Sequence, residues 1–326
     1  MLLAHENYTN DVAHKSFCIC FFLAKLRACL PVSNQSPESR ILNPESRVQS
    51  PESMIDSHQH FWKYNPVRDS WITEKMSTIQ RDFLPDDLAP ILKENNMDGC
   101  VSVQADQSEQ ETMFLLELAA KNDFIKGVVG WVDLKSEKIK DKLSFYTRFP
   151  KLKGFRHIVQ AEPDGFLLQK NFIAGIHSLR EYDFTYDILV YARQLEEVIA
   201  FVQKFPDQKF VLDHIAKPSI KEKQFEKWAK DISVLAGFEN VLCKLSGMVT
   251  EADWKSWKSN DFKPCLDFAF NAFGVHRLMY GSDWPVCLVA ASYKQQLAIV
   301  EEYVSKLSSD EKEMVMGGNA IRFYNL

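Results

Sequence analysis

The chain has 326 residues, 46% of them hydrophobic and 25% charged, with a formal net charge of −5. This is the composition of an ordinary globular protein, and without a large basic block it argues against nucleic acid or an anionic membrane as the main partner. Seven scattered cysteines with no C-x-x-C pair predict reduced thiols and a cytoplasmic setting. Cys243 and Cys287 lie in or beside apolar runs and read as small core residues rather than reactive thiols.

In chain order, residues 1–53 do not match the rest. Phe17 to Leu23 is an apolar burst too short to cross a membrane. Its basic residues mostly follow it and no small-residue cleavage site appears, which argues against a signal peptide. Pro37-Glu-Ser-Arg40, Pro44-Glu-Ser-Arg47 and Pro51-Glu-Ser53 then recur every seven residues, without the apolar seam of a coiled coil. Such a segment cannot bury enough surface to fold. A disordered extension over 1–53 is expected, with Met54 opening the folded unit.

Met54-Ile-Asp-Ser-His-Gln-His60 predicts a strand ending in two histidines. Side chains two apart on a strand share a face, so Asp56, His58 and His60 are expected on one side. Polar residues in what should be a buried strand mark a functional site, although a hydrogen-bonded histidine pair is the competing reading. Phe61 to Leu84 is a long aromatic loop, and long loops in compact domains are usually functional. Pro85 and Asp86 then open a helix to about Asn96.

From there strands and helices alternate. Strands are predicted at 99–104, 125–132, 152–159, 185–190, 209–214, 241–246 and 277–283. Helices are predicted at 109–121, 136–148, 171–182, 194–205, 221–236, 261–273 and 292–306, with a last helical piece at 309–316 and a terminal turn over 319–326. Strict alternation implies a parallel sheet with helices outside. Eight strand–helix units fit a closed α/β (β/α)8 TIM barrel of roughly 250 residues. The competing open doubly wound sheet calls for G-x-G-x-x-G after an early strand, and none occurs.

In such a barrel the chemistry sits at the C-terminal ends of the strands. Those ends carry His58 and His60, Gln104, Trp131, Arg156 and His157, Asp187, Asp213 and His214, Lys244 and Ser246, and Asp283. Arg156 and His157 are adjacent, so only one points into the barrel. Asp213 is expected to face away from His214 and to cap a neighbouring helix. Lys244 is alone on an apolar strand, so a lumenal ion pair with an acid and a substrate contact stand as equal readings.

Asp56-Ser-His-Gln-His-Phe-Trp62, Gly154-Phe-Arg-His157, Asp213-His-Ile-Ala-Lys-Pro218, Lys244-Leu-Ser-Gly247 and Tyr280-Gly-Ser-Asp-Trp-Pro285 together resemble the amidohydrolase superfamily. They are most similar to its lactonase branch, typified by L-fucono-1,5-lactonases and 2-pyrone-4,6-dicarboxylate lactonases. The resemblance covers everything from Met54 onward and implies the barrel fold and hydrolysis of a sugar-acid lactone. It implies Asp283 as general base on water, with His58, His60 and His214 polarising the carbonyl. Gln104, Arg156, His157 and Lys244 would hold substrate hydroxyls, and Trp62 or Trp131 would form an apolar platform.

The chain departs from the metal-dependent pattern in two places. It has no histidine at the end of the fifth strand, and no lysine or glutamate on the fourth that could bridge two metals. The expectation is therefore no required cofactor, or one divalent Zn on His58, His60 and Asp283, with or without His214. A zinc-dependent decarboxylase or amide hydrolase on the same barrel is the rival enzyme. A barrel binding a sugar acid without catalysis is the rival outside enzymology. No sequence feature bears on oligomeric state.

Overall fold

The computed structural model describes residues 53–326, so the expectations for residues 1–52 fall outside the described region. Eight parallel strands run in sequence order around one sheet: β1 (Ile55–Gln59), β2 (Gly99–Val103), β3 (Ile125–Gly130), β4 (Leu152–Ile158), β5 (Thr185–Leu189), β6 (Phe210–Leu212), β7 (Val241–Leu245) and β8 (Leu278–Tyr280). The ring closes where the chain beyond β8 meets β1. Asp283 N donates to His58 O at 2.8 Å, and His60 N donates to Trp284 O at 2.7 Å. The (β/α)8 barrel expected from the alternation is the fold.

Each strand is followed by a helix on the outside: α1 (Pro85–Glu94), α2 (Glu109–Lys121), α3 (Ile139–Tyr146), α4 (Lys170–Glu181), α5 (Leu195–Val202), α6 (Glu226–Leu235), α7 (Ser259–Phe273) and α8 (Tyr293–Val304). Local chemistry starts them. Pro85 opens α1, and Asp87 Oδ2 accepts from Leu84 N at 2.9 Å. Ser108 and Ser292 cap α2 and α8 by accepting from Glu111 N and Gln295 N, each satisfying a donor that the helix leaves open. The expected helix over 221–236 begins only at Glu226. Lys223 sits at φ 54° just before it, which is incompatible with a helical start.

Two layers fill the barrel. The lower is apolar: Ile55, Val101, Val129, Val211 and Met279 pack with Ala320, Phe323 and Tyr324. The last three come from α10 (Asn319–Tyr324), which follows the short α9 (Ser309–Glu313) and a π-helical turn. The expected terminal turn is thus a helix that packs on this lower layer. Above it the lumen is charged, with Asp187, Lys244, Asp213 and Arg156 all buried.

Cys100, Cys243, Cys265 and Cys287 are buried and unpaired. Burial raises the Cys243 and Cys287 thiols far above their usual range, which suits core packing. Among the described residues no helix is long and apolar enough to cross a membrane.

Candidate active site

β1 delivers two imidazoles to the C-terminal mouth, but not Asp56. A bulge between Asp56 and Gln59 shifts the pairing with β2, and an inserted residue breaks the two-residue alternation. Ile55 therefore packs in the lumen while Asp56 turns to the gap between β1 and β8. Its Oδ1 accepts from His58 N (3.1 Å) and Ser282 N (2.9 Å), and its Oδ2 accepts from the Tyr293 hydroxyl (3.1 Å). The expected shared face is corrected: Asp56 fastens the segment that carries Asp283. Burial raises its carboxyl to about 6 against those hydrogen bonds.

β6 stops at Leu212. The next residues turn left-handed, with His214, Ile215, Ala216 and Lys217 at φ 52–56°. Left-handed backbone costs roughly 1–2 kcal/mol per non-glycine residue, and such strain gathers at functional sites. Burial of Ile215 and Ala216, and donation from Trp228 Nε1 to Ile215 O at 2.7 Å, offset it. The turn corrects a second expectation. With the strand finished, alternation no longer governs Asp213, which enters the lumen instead of capping a helix. Its Oδ2 takes Arg156 Nη1 at 3.0 Å, and its Oδ1 lies 3.0 Å from Lys244 Nζ.

Two glycines make room for the rings. A Cβ on Gly247, itself at φ 61°, would lie 2.5 Å from His214 Nδ1. One on Gly281 would lie 2.7 Å from the His58 Cβ.

Asp283 completes the group from the turn beyond β8, at φ 57° and ahead of a cis Trp284–Pro285 peptide. Its Oδ1 lies 3.3 Å from His60 Nε2, 3.8 Å from His58 Nε2 and 3.9 Å from His214 Nε2. Burial would raise this carboxyl. As the pH falls and the rings protonate, His214, a hydrogen bond with His60 and then His58 outweigh it and hold Asp283 well below the usual carboxylate range. Burial lowers His214 to about 4 despite Asp283 and Asp213. It also takes His58 well below its ordinary value. At neutral pH an ionised carboxylate therefore faces two neutral imidazoles.

The donor set fits a divalent cation. His60 Nδ1 must donate to Val103 O (2.8 Å), since a carbonyl only accepts. Its Nε2 therefore faces Asp283 and lies 3.2 Å from His58 Nε2. Two ring nitrogens and a carboxylate oxygen converge, and a proton or a cation reconciles them. Imidazole and carboxylate with an outer-shell partner on each ring is the chemistry of a catalytic zinc site. Asp213 with His58 and His214 forms an adjoining cluster of the same kind.

Next to these groups is a cavity of about 280 Å³, lined by His60, Trp62, Trp71, Arg156, His214, Lys217 and Asp283 among others. That lies near the lower end of the roughly 300–1,000 Å³ typical of small-molecule sites. Arg156 Nε and Gln160 Oε1 are buried without a hydrogen-bond partner; both residues line the cavity.

Of the other expected contacts, Trp62 and Arg156 line the cavity. Gln104 and Lys244 are fully buried and lie outside its lining. Gln104 Nε2 donates to Arg156 O at 3.2 Å, and Lys244 Nζ donates to Asp187 Oδ2 at 2.6 Å. Trp131 and His157 also fall outside the lining. Trp131 Nε1 donates to His157 Nδ1 at 3.2 Å, His157 Nε2 donates to Glu162 at 2.8 Å, and the ring stacks on Phe166. Arg156 is the inward member of that adjacent pair. Lys217, Gln160 and Trp71 line the mouth without having been singled out. Lys217 stood inside a quoted motif and Trp71 in the aromatic loop, but Gln160 carried no signal.

An eight-stranded barrel that gathers three imidazoles and a carboxylate beside a cavity of small-molecule size has the layout of a barrel enzyme's active-site mouth. The family model described as amidohydrolase matches residues 55–326, and the chain belongs to that family. It is 42% identical over 283 residues to an L-fucono-1,5-lactonase of Burkholderia multivorans, covering 83% of this chain and 95% of the relative. It is 35% identical over 279 residues to an L-fucono-1,5-lactonase of Burkholderia ambifaria, with the same coverage. A crystal structure of an amidohydrolase from B. multivorans with bound zinc superposes with a TM-score of 0.82 at 42% identity. That match covers 84% of this chain and 99% of the other.

Proposed function

We propose that the chain hydrolyses a sugar-acid lactone of the L-fucono-1,5-lactone type, with Asp283 as the general base. The observation that carries the reading is the placement of the Asp283 carboxylate within 3.9 Å of three imidazole Nε2 atoms at the edge of the cavity. The names of two relatives covering most of the chain support the reaction class.

A lactone enters with its ring against Trp62 and Trp71 and its carbonyl towards the histidines. Asp283 takes a proton from water as the water oxygen attacks the carbonyl carbon, a role that contributes about 10²–10⁴-fold in rate. The carbonyl oxygen gains negative charge as its π bond opens in that step. Donors already in place stabilise it without reorganisation, and the Arg156 guanidinium and His214 face the cavity where it develops. The ring C–O bond then breaks, and Asp283 returns its proton to the departing alkoxide. The product is the open hydroxy acid. His58, His60 and Asp283 would hold a divalent metal, which would supply Lewis acidity there. Lys217 and Gln160 hold substrate hydroxyls at the rim.

The test is a panel of aldonolactones assayed by acid release, with and without chelator. We expect one stereoisomer to be preferred, with kcat/KM of at least about 10⁴ M⁻¹s⁻¹. A panel with no turnover above the uncatalysed rate would sink the reading. Stoichiometric bound metal with that same silence would point to a metal-dependent decarboxylase or amide hydrolase instead.

A further inference from the structure

Beneath the mouth, a chain of buried polar contacts runs down to the helix that packs against the bottom of the barrel. The Tyr324 ring belongs to the lower apolar layer and is 2% exposed. Its hydroxyl nevertheless reaches the charged layer and donates to Asp187 Oδ2 at 2.7 Å. The same oxygen accepts from Lys244 Nζ at 2.6 Å. Lys244 Nζ also lies 3.0 Å from Asp213 Oδ1 and 3.2 Å from His58 Nδ1.

We propose that the Tyr324 hydroxyl is a positioning residue for the active site, orienting the His58 ring through Asp187 and Lys244. An ammonium has three N–H donors. Here Asp187 Oδ2 takes one of them, and Asp213 Oδ1 and His58 Nδ1 lie 3.0 and 3.2 Å from the nitrogen. The ammonium stays beside His58 Nδ1 only if Asp187 does not draw it away. Tyr324 supplies the second donor to Asp187 Oδ2, while Asp187 Oδ1 has no hydrogen-bond partner at all. Without the hydroxyl, the Asp187 carboxylate leans on Lys244 alone. The ammonium then shifts towards it and away from His58 Nδ1. Asp213 Oδ1, 3.3 Å away, is then the polar group left beside that nitrogen, and the ring turns about its contacts with Arg156 and His60. Burial already presses the Asp187 carboxyl up to about 6, with Lys244 and the Tyr324 bond opposing it. A merely apolar filler would need no hydroxyl, and phenylalanine would serve as well.

The experiment compares Tyr324→Phe with Phe323→Leu, which changes the same helix without touching the polar chain. Each is read by melting temperature, by kcat and KM, and by the ring-nitrogen signals of His58 in long-range proton–nitrogen spectra. For Tyr324→Phe the expected result is a kcat lower by about tenfold, the kinetic equivalent of losing one hydrogen bond. KM stays essentially unchanged, the melting temperature falls modestly because Asp187 loses a buried donor, and the His58 signals move while those of His177 and His276 do not. Phe323→Leu lowers the melting temperature and leaves kcat and the His58 signals in place. Unmoved kcat and His58 signals in Tyr324→Phe would overturn the proposal, as would a loss of melting temperature matching that of Phe323→Leu without a His58 change. The kinetic part rests on the lactonase reading, whereas the imidazole signals do not. If wild type turned over no lactone, a His58 shift confined to Tyr324→Phe would still uphold the positioning role, and its absence would remove it.

Discussion

The backbone carbonyl of Val103 on β2 accepts a hydrogen bond from His60 Nδ1 at 2.8 Å. That one bond decides which ring nitrogen faces Asp283. A side chain from β1 is thus aimed by the backbone of β2 at a carboxylate from the far side of the ring closure. The sharpest prediction concerns that carboxylate. Asp283→Asn keeps its shape and loses its charge, so kcat on the best lactone should fall by about 10²–10⁴-fold with the fold intact. Near wild-type turnover in this variant would remove Asp283 from the chemistry.

The same cluster should take one divalent ion per chain. Zinc titration calorimetry on wild type should give single-site binding. Asp213→Asn should weaken it about 10–100-fold, the usual cost of losing an outer-shell partner, because Asp213 faces the His58 ring from below. Equal affinity in the two proteins would show that Asp213 serves only the Arg156 and Lys244 charges.

Lys244 stands between two fully buried carboxylates. Removing one partner of a buried ion pair leaves an uncompensated charge and costs about 3–5 kcal/mol. Lys244→Met should therefore lose stability on that scale in urea unfolding. Adding Asp187→Asn should recover part of the loss, since one stranded carboxylate disappears. A double variant no more stable than the single one would mean that the two charges are not coupled.

Glu111, in the first turn of α2, accepts from the cavity-lining Ala105 N at 3.2 Å. Burial raises its carboxyl from 4.5 to about 7, against that bond and Arg68. The folded state then holds this proton more tightly than the unfolded chain. Its contribution is full below 4.5 and is lost as pH rises towards 7. Glu111→Gln should thus gain stability relative to wild type between pH 5 and pH 8, by up to about 3 kcal/mol. Parallel stability–pH curves for the two proteins would contradict this.

Much of the architecture was legible in the chain. Regular alternation of apolar strands with capped helices allowed one closed barrel, and the absence of a glycine-rich phosphate turn removed its main rival. His58, His60, His214 and Asp283 were legible as rim residues because each ends a predicted strand.

Asp56, Asp213 and His157 show where that reading ran out. Period-two alternation holds only while the backbone stays extended. A bulge turned Asp56 away, an early strand end released Asp213 into the lumen, and only packing against Phe166 decided which of Arg156 and His157 points outward. The partners of Lys244 and the reach of Tyr324 to Asp187 were equally invisible, since long-range hydrogen bonds leave no local pattern.

Local periodicity thus determined the fold and which residues reach the mouth. The tertiary structure alone decided how they face one another, because the bulge, the left-handed turn and the buried charges are set by contacts between strands distant in sequence.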